Sequence, residues 1–137
     1  MKSNNEFVFA LLKTASRIER KLDRALSCTK GVSFTEYYLL NELQDKYKGS
    51  ATRVDLADAV GLTPSAITRA LKPLEKIGFV ITEKSERDAR RSLATLTATG
   101  NELLHDANKI VLDEIELLNL PSSGASKALE VLNQMRS

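Results

Sequence analysis

The 137-residue chain has little of what small secreted proteins and membrane proteins depend on. It contains one cysteine, Cys28, so no internal disulfide can form and a reducing compartment is expected. No apolar run approaches the ~20 residues that a membrane-spanning helix needs. The apolar run before Lys13 is only six residues long, too short for a signal-peptide core. We therefore expect a cytoplasmic protein with no membrane partner.

Aromatic residues, proline and glycine are scarce as well. Aromatic side chains make up 5% of the chain, tryptophan is absent, and there are three prolines and six glycines. So few turn-forming residues favour a mostly helical fold. A chain of this length buries roughly two-thirds of its unfolded surface, so a core is feasible without disulfides or metals. One histidine, His105, and one cysteine do not make a metal site, and we expect no cofactor.

Positive charge is concentrated in one part of a nearly neutral chain. The net charge is +2, yet residues 63–91 hold seven lysines or arginines against four acids. A local basic excess of this kind is typical of a small surface that binds nucleic acid. It also fits an ordinary solvated surface, so charge alone does not decide between the two.

The spacing of apolar and turn-forming residues predicts an α+β protein that is mostly helical. Ser33 and Glu36 form a capping box for one helix, and Gly61 and Gly78 end two others. The predicted helices are 5–27, 34–45, 52–59, 64–77, 98–118 and 125–135, and the predicted strands are 79–84 and 93–96. Residues 46–52 are expected to form a loop, and Pro73 is expected to bend its helix.

Residues 56–77 have the spacing of a helix-turn-helix unit. Ala57 is small where two helices would cross, Gly61 supplies the tight turn, and Ile67 anchors the second helix in the core. The other face of that second helix is small and polar near its amino end and basic further along. Such a face suits insertion into a major groove. A helix-turn-helix shape that is packed for stability alone would have the same spacing.

A hairpin with an arginine-rich connection follows the second helix and makes the predicted fold a winged helix-turn-helix. The connection, "SERDARRS", carries three arginines. Arginine at such a tip can enter a narrow minor groove, where the negative potential is enhanced. Asp88 lies two residues before Arg90 and is placed either to hold that guanidinium or simply to balance local charge.

Residues 53–104 resemble the multiple antibiotic resistance regulator (MarR) family of bacterial transcription factors. The resemblance is carried by "LADAVGLTPSAITRALKPLEKIGFV", by the "ERDARRS" of the hairpin, and by the "LTATG" that opens the next helix. It implies a winged-helix homodimer that binds palindromic operators in double-stranded DNA, usually as a repressor. Many members release DNA when they bind a small, often phenolic, molecule.

The resemblance and the exposed helix face together give a set of candidate DNA-binding residues. Those on the second helix would read the major groove, and those of the hairpin would contact the minor groove and phosphates. The candidates are Thr63, Ser65, Ala66, Thr68, Arg69, Lys72, Arg87, Asp88, Arg90 and Arg91.

The predicted organisation is one domain over residues 1–137. Within it, residues 33–96 form the DNA-binding lobe, and residues 5–27 and 98–137 form dimerisation helices. Apolar stripes at both ends of the chain need a partner, which a twofold dimer supplies. The alternative is that the two ends pack on each other within one chain.

The same sequence is compatible with other functions. A winged helix can serve as a protein–protein adaptor without sequence-specific DNA binding, because fold does not fix function. An enzyme is not expected, since there is no nucleophile–base pair, glycine-rich phosphate loop or paired acidic site. Cys28 could be an oxidation sensor or a plain packing thiol. Tyr37 and Tyr38 could line a ligand pocket or belong to the core and its rim.

Overall fold

The chain forms six helices and a small sheet within the residues that the computed structural model describes, which are 2–84, 86–88 and 91–135. In chain order the elements are α1 (Lys2–Lys30), α2 (Phe34–Asp45), β1 (Ser50–Thr52), α3 (Arg53–Val60), α4 (Pro64–Ile77), β2 (Val80–Lys84), β3 (Ser92–Leu96), α5 (Ala98–Leu117) and α6 (Ser122–Gln134). This confirms the predicted, mostly helical winged-helix architecture.

The helix starts follow from local side-chain chemistry. The Ser33 hydroxyl accepts from the Glu36 N–H while the Glu36 carboxylate accepts from the Ser33 N–H, which is the predicted capping box. Helix α1 extends three residues beyond its prediction at each end, and α6 begins at Ser122 rather than 125. The prediction for α6 was wrong because Pro121 starts that helix instead of interrupting it. None of the described helices is long and apolar enough to cross a lipid bilayer.

The sheet has three antiparallel strands in the order β1-β3-β2. Strands β2 and β3 form the predicted hairpin, which we call the wing, with Val80 opposite Leu96 and Lys84 opposite Ser92. Strand β1 lies in the segment 46–52 that was expected to be a loop, so that expectation was wrong. Three residues are too few to show the alternation of a strand. Only pairing with β3, more than 40 positions later in the sequence, makes this segment a strand.

The core takes one face from each of α1 to α5 and the inner face of the sheet. Helix α4 contributes Ile67, Leu71 and Leu74, which are almost completely removed from solvent. These side chains lie three or four residues apart, as one buried helical face requires. Helix α6 contributes no buried residue.

The start of α5 is joined closely to the base of the wing. The Thr97 hydroxyl caps α5 by accepting from the Gly100 N–H, and it also donates to the Gly78 carbonyl oxygen at 2.6 Å. A Cβ atom on Gly100 would overlap the Phe79 carbonyl oxygen and lie 2.8 Å from a methyl carbon of Leu96. The glycine in "LTATG" is therefore required because the backbone of the wing passes directly over it.

Replacing Gly100 with alanine is expected to lower the free energy of unfolding by about 1–3 kcal/mol, because the new methyl group meets backbone that cannot easily move. Chemical denaturation monitored by circular dichroism measures this change. The matched control is Gly124→Ala in α6, where the nearest atom to a new Cβ is Pro121 Cγ at 3.2 Å. An equal loss of stability in both variants would contradict the steric explanation.

Candidate nucleic-acid interface

Helices α3 and α4 form the helix-turn-helix unit that the sequence predicted. The turn is made by Gly61, whose backbone is left-handed with φ of 72°. The N–H groups of Gly61 and Leu62 both donate to the Ala57 carbonyl, at 2.9 and 3.1 Å, which closes the end of α3. Ala57 is buried, as expected of a small residue at a close helix crossing.

Helix α4 has one buried face and one solvent-facing side. While Ile67, Leu71 and Leu74 point into the core, Ser65, Arg69 and Lys72 are exposed. These three exposed residues are spaced by four and three positions, so they lie along one side of the helix. Ala66 and Thr68 are half-buried, and the Thr68 hydroxyl donates to the Pro64 carbonyl at 3.1 Å. The structure thus brings together a small polar residue and two cations on one exposed face.

The amino end of α4 is open to solvent. Thr63, Pro64 and Ser65 are exposed, and the Thr63 hydroxyl caps the helix by accepting from the Ala66 N–H at 3.1 Å. A helix start concentrates partial positive charge, which favours an anion such as a phosphate. Helix α4 continues through Pro73 to Ile77, although proline cannot donate the hydrogen bond that this turn would use.

The connection between β2 and β3 presents further basic residues. Arg87 and Arg91 are exposed, Asp88 is half-buried, and the Arg91 N–H donates to the Asp88 carbonyl at 3.0 Å. Arg90 lies outside the described residues, so its predicted place in a minor groove and its predicted pairing with Asp88 stay predictions.

The sequence predictions missed a polar cluster between the wing and α4. Arg53, the first residue of α3, donates from Nη1 to Ser92 Oγ at 2.9 Å. Its Nη2 lies 3.4 Å from both Glu75 Oε1 and Thr82 Oγ1. One signal was available, because a cation in the first turn of a helix is disfavoured by the helix dipole and needs a partner elsewhere.

Tyr37 and Tyr38, the two residues considered for a ligand pocket, both pack against other side chains. Tyr37 is buried and donates to Asn108 Oδ1 at 2.6 Å, and burial, with a smaller effect of Asp45, raises its pKa above the usual value. Its hydroxyl therefore stays protonated and links α2 to α5. Tyr38 is half-buried and stacks on Phe34, so this pair belongs to the core and its rim.

Cys28 is exposed and lies in an open groove between α1 and α5. The groove has a volume of about 580 Å³, within the range of small-molecule sites. Its lining mixes apolar side chains with charges of both signs: Lys21, Arg24, Ala25, Cys28, Thr29, Ile110, Asp113, Glu114, Leu117 and Leu118. Among the residues described, no group of three or more His, Cys, Asp or Glu side chains is placed to hold a metal ion.

Comparison with known families assigns this geometry to a class. Residues 36–81, from α2 to the start of β2, match the family described as winged helix-turn-helix DNA-binding. The matched region contains α3, the turn and α4. Ser65, Arg69 and Lys72 lie on the exposed side of α4. This part of the chain, from α2 to the start of β2, therefore resembles the winged helix-turn-helix modules of that family.

Individual relatives agree with this class. The chain is 30% identical over 90 residues to the HTH-type transcriptional regulator SarZ of Staphylococcus epidermidis, over 64% of this chain and 60% of SarZ. The match thus spans about three-fifths of that curated relative. Sco3205 of Streptomyces coelicolor, a MarR family transcriptional regulator solved in complex with DNA, superposes with a TM-score of 0.86 at 24% identity, covering 98% of this chain and 86% of that one.

A third protein has the same fold and was solved with a small molecule. The organohalide-sensing transcriptional regulator RdhR, in its 2,4-dichlorophenol-bound form, superposes with a TM-score of 0.84 at 17% identity, over 98% of this chain and 79% of that one. Nearly the whole chain therefore has the fold of MarR family transcriptional regulators. The fold that the resemblance implied is confirmed.

Proposed function

We propose that the protein is a transcriptional regulator that binds a palindromic operator in double-stranded DNA as a homodimer and acts as a repressor. The observation that carries this proposal is the exposed face of α4, with Ser65, Arg69 and Lys72 along one side of a helix whose other side is fully buried. Small side chains at the amino end permit close approach to bases, while arginine and lysine supply base-edge and phosphate contacts.

Roles for the described residues follow from their positions, and the role of Arg90 follows from the family resemblance. Ser65, Thr68 and Arg69 face the major groove, with Ala66 packed close to the base edges. Thr63 and Lys72 contact phosphates at the two ends of the exposed face. In the wing, Arg87 and Arg91 contact phosphates, and Arg90 enters the minor groove with Asp88 orienting it. Because a regulator of this kind acts on the chromosome, the proposed location is the cytoplasm.

Homodimer formation is supported by apolar side chains that the chain leaves uncovered at both ends. Residues 7–12 of α1 are all apolar, yet Phe9 is 68% exposed and Leu12 is 62% exposed. At the other end Leu117 is 77% exposed, and α6 is amphipathic without burying any residue. A helical segment that is apolar on all sides is stable only when it is covered. A second copy with the same ends satisfies this requirement through a twofold interface.

Release by a small aromatic or phenolic effector is supported by the groove between α1 and α5. Its volume of about 580 Å³ suits a small molecule, and Lys21 and Arg24 could pair with a phenolate while Ile110 and Leu118 contact a ring. The groove joins a helix of the proposed dimer interface to the helix that follows the wing. An occupant could therefore change how the two DNA-binding lobes are spaced.

DNA binding is tested by selection from a library of random duplexes of about 30 base pairs, long enough for two half-sites one helical turn apart. The wild-type protein is expected to enrich a palindrome and to bind it more weakly as salt rises, because cations on the protein displace counterions from DNA. Light scattering should give the mass of a dimer. A protein–protein adaptor, the alternative function, would enrich no sequence and show no steep salt dependence.

Arg69→Ala is expected to change which base is preferred at one position of each half-site, with a loss of about 1–3 kcal/mol at that position. Lys72→Ala is expected to weaken binding to all duplexes, as the loss of a phosphate contact requires. The salt slope, which is the slope of log K against log salt concentration, should fall in magnitude by about 1 for each site. The matched control is Lys109→Ala, which removes the same charge from the exposed side of α5, outside the helix-turn-helix and the wing. Equal effects in all three variants would argue for non-specific attraction only.

Leu12→Asp is expected to convert the dimer to a monomer at micromolar concentration, because a carboxylate cannot be buried in an apolar interface without a partner. Light scattering measures the mass, and circular dichroism reports whether the helices remain. Val54→Asp in α3 is the control, since Val54 is as exposed as Leu12 but lies outside the end helices. A dimer that survives Leu12→Asp would place the interface elsewhere.

A further inference from the structure

The wing extends beyond the hydrophobic core on its inner face. Along that face β2 presents Val80 and then Thr82, and β3 presents Ala94 and then Ser92 towards the tip. Val80 and Ala94 have no exposed surface, while Thr82 is exposed and Ser92 is half-buried. Apolar packing therefore supports only the base of the wing. Its outer half needs a different kind of contact to keep a defined direction.

Arg53 supplies that contact. Its guanidinium donates from Nη1 to Ser92 of β3 and from Nη2 to Thr82 of β2. The same Nη2 lies 3.4 Å from the Glu75 carboxylate of α4, and the Thr82 hydroxyl also donates to that carboxylate. Only 22% of the Arg53 side chain is exposed. One side chain of α3 thus joins both strands of the wing to the carboxyl half of α4.

The connected residues are neighbours of those that we place on DNA. Glu75 follows Lys72 by three positions, which is nearly one turn of α4. Ser92 follows Arg91 directly and pairs with Lys84, so it closes the hairpin at its outer end. A guanidinium has a rigid fork of donors, which keeps its partners in a fixed arrangement better than a lysine would. The network therefore holds the wing at a set angle to α4.

We propose that Arg53 and Glu75 are positioning residues for DNA recognition, which set the wing relative to α4 so that both reach DNA together. The inference rests on the proposed DNA-binding function and adds residues that act through the network rather than through base contacts. The positioning role and simple electrostatics predict opposite changes in DNA affinity when Glu75 is neutralised. Removing the negative charge of Glu75 should strengthen attraction to DNA if charge alone matters. It should weaken binding if the carboxylate positions the wing.

The test compares Glu75→Gln with Glu83→Gln, which removes an equal charge from the outward face of the same hairpin. Binding is measured on the duplex that the wild-type protein enriches from the random library. Glu75→Gln is expected to bind about three- to tenfold more weakly, the size of one ordinary hydrogen bond in a partly exposed network. Glu83→Gln is expected to bind as tightly as the wild type or slightly more tightly. Equal or tighter binding by Glu75→Gln would overturn the inference.

A second measurement needs no DNA. Amide hydrogen exchange of the free protein should become faster in β2 and β3 of Glu75→Gln, while α1 and α5 keep wild-type exchange. Uniformly faster exchange would mark a general loss of stability, and unchanged exchange in the wing would mean that the carboxylate does not hold it. Either result would overturn the positioning role. If the wild type enriches no duplex, the DNA-binding function fails, and exchange still decides whether the network holds the wing.

Arg53→Met separates positioning from direct contact. If Arg53 acts through its contact with Glu75, the double variant Arg53→Met with Glu75→Gln should bind DNA at least as tightly as Arg53→Met alone. The salt slope should stay close to that of the wild type. Additive losses together with a slope lower by about 1 would instead mark Arg53 as a phosphate contact and overturn its positioning role.

Discussion

The structure depends on the complete burial of one face of α4. Ile67, Leu71 and Leu74 are removed from solvent, and each such side chain contributes about 1.5–3 kcal/mol when it is fully buried. Together they contribute an amount comparable to the net stability of a small domain. Rotating α4 by about half a turn would expose these residues and bury Arg69 and Lys72. The same packing that stabilises the lobe therefore determines which side chains face outward.

A second constraint joins the lobe to the helices around it. The turn after α4 and the start of α5 share the Thr97 hydroxyl and the close approach at Gly100. Elsewhere, Tyr37 donates to Asn108 and the Lys30 ammonium lies 3.5 Å from Asp106, which connects α2 and α1 to α5. Helix α5 thus contacts both the base of the wing and α1. A shift of α5 would be transmitted to the wing because glycine backbone and a capped helix start leave no space between them.

Two kinds of contact determine the shape of the proposed DNA-binding surface. In the centre, apolar side chains pack without any buried charge among the described residues. Under the outer wing, hydrogen bonds from Arg53 replace that packing and remain partly open to water. Contacts of the second kind are weaker and depend more on geometry, so the wing is the part of the lobe whose direction a single substitution can change. Among the described residues, neither kind is complete near the chain ends, since α6 buries no side chain and Phe9 and Leu12 of α1 are largely exposed.

The sequence alone determined the elements whose signals are local. The cap at Ser33, the left-handed turn at Gly61, the start of α4 at Thr63 and the buried stripe from Ile67 to Leu74 each depend on residues within one or two turns. The exposed face of α4 follows from that stripe by helical periodicity. Only the tertiary structure decided that Ser50–Thr52 is a strand and that Arg53 reaches the wing, because the partners lie more than 20 positions away in the sequence. Such contacts leave no periodic pattern in the chain, since they depend on how separate elements pack against each other.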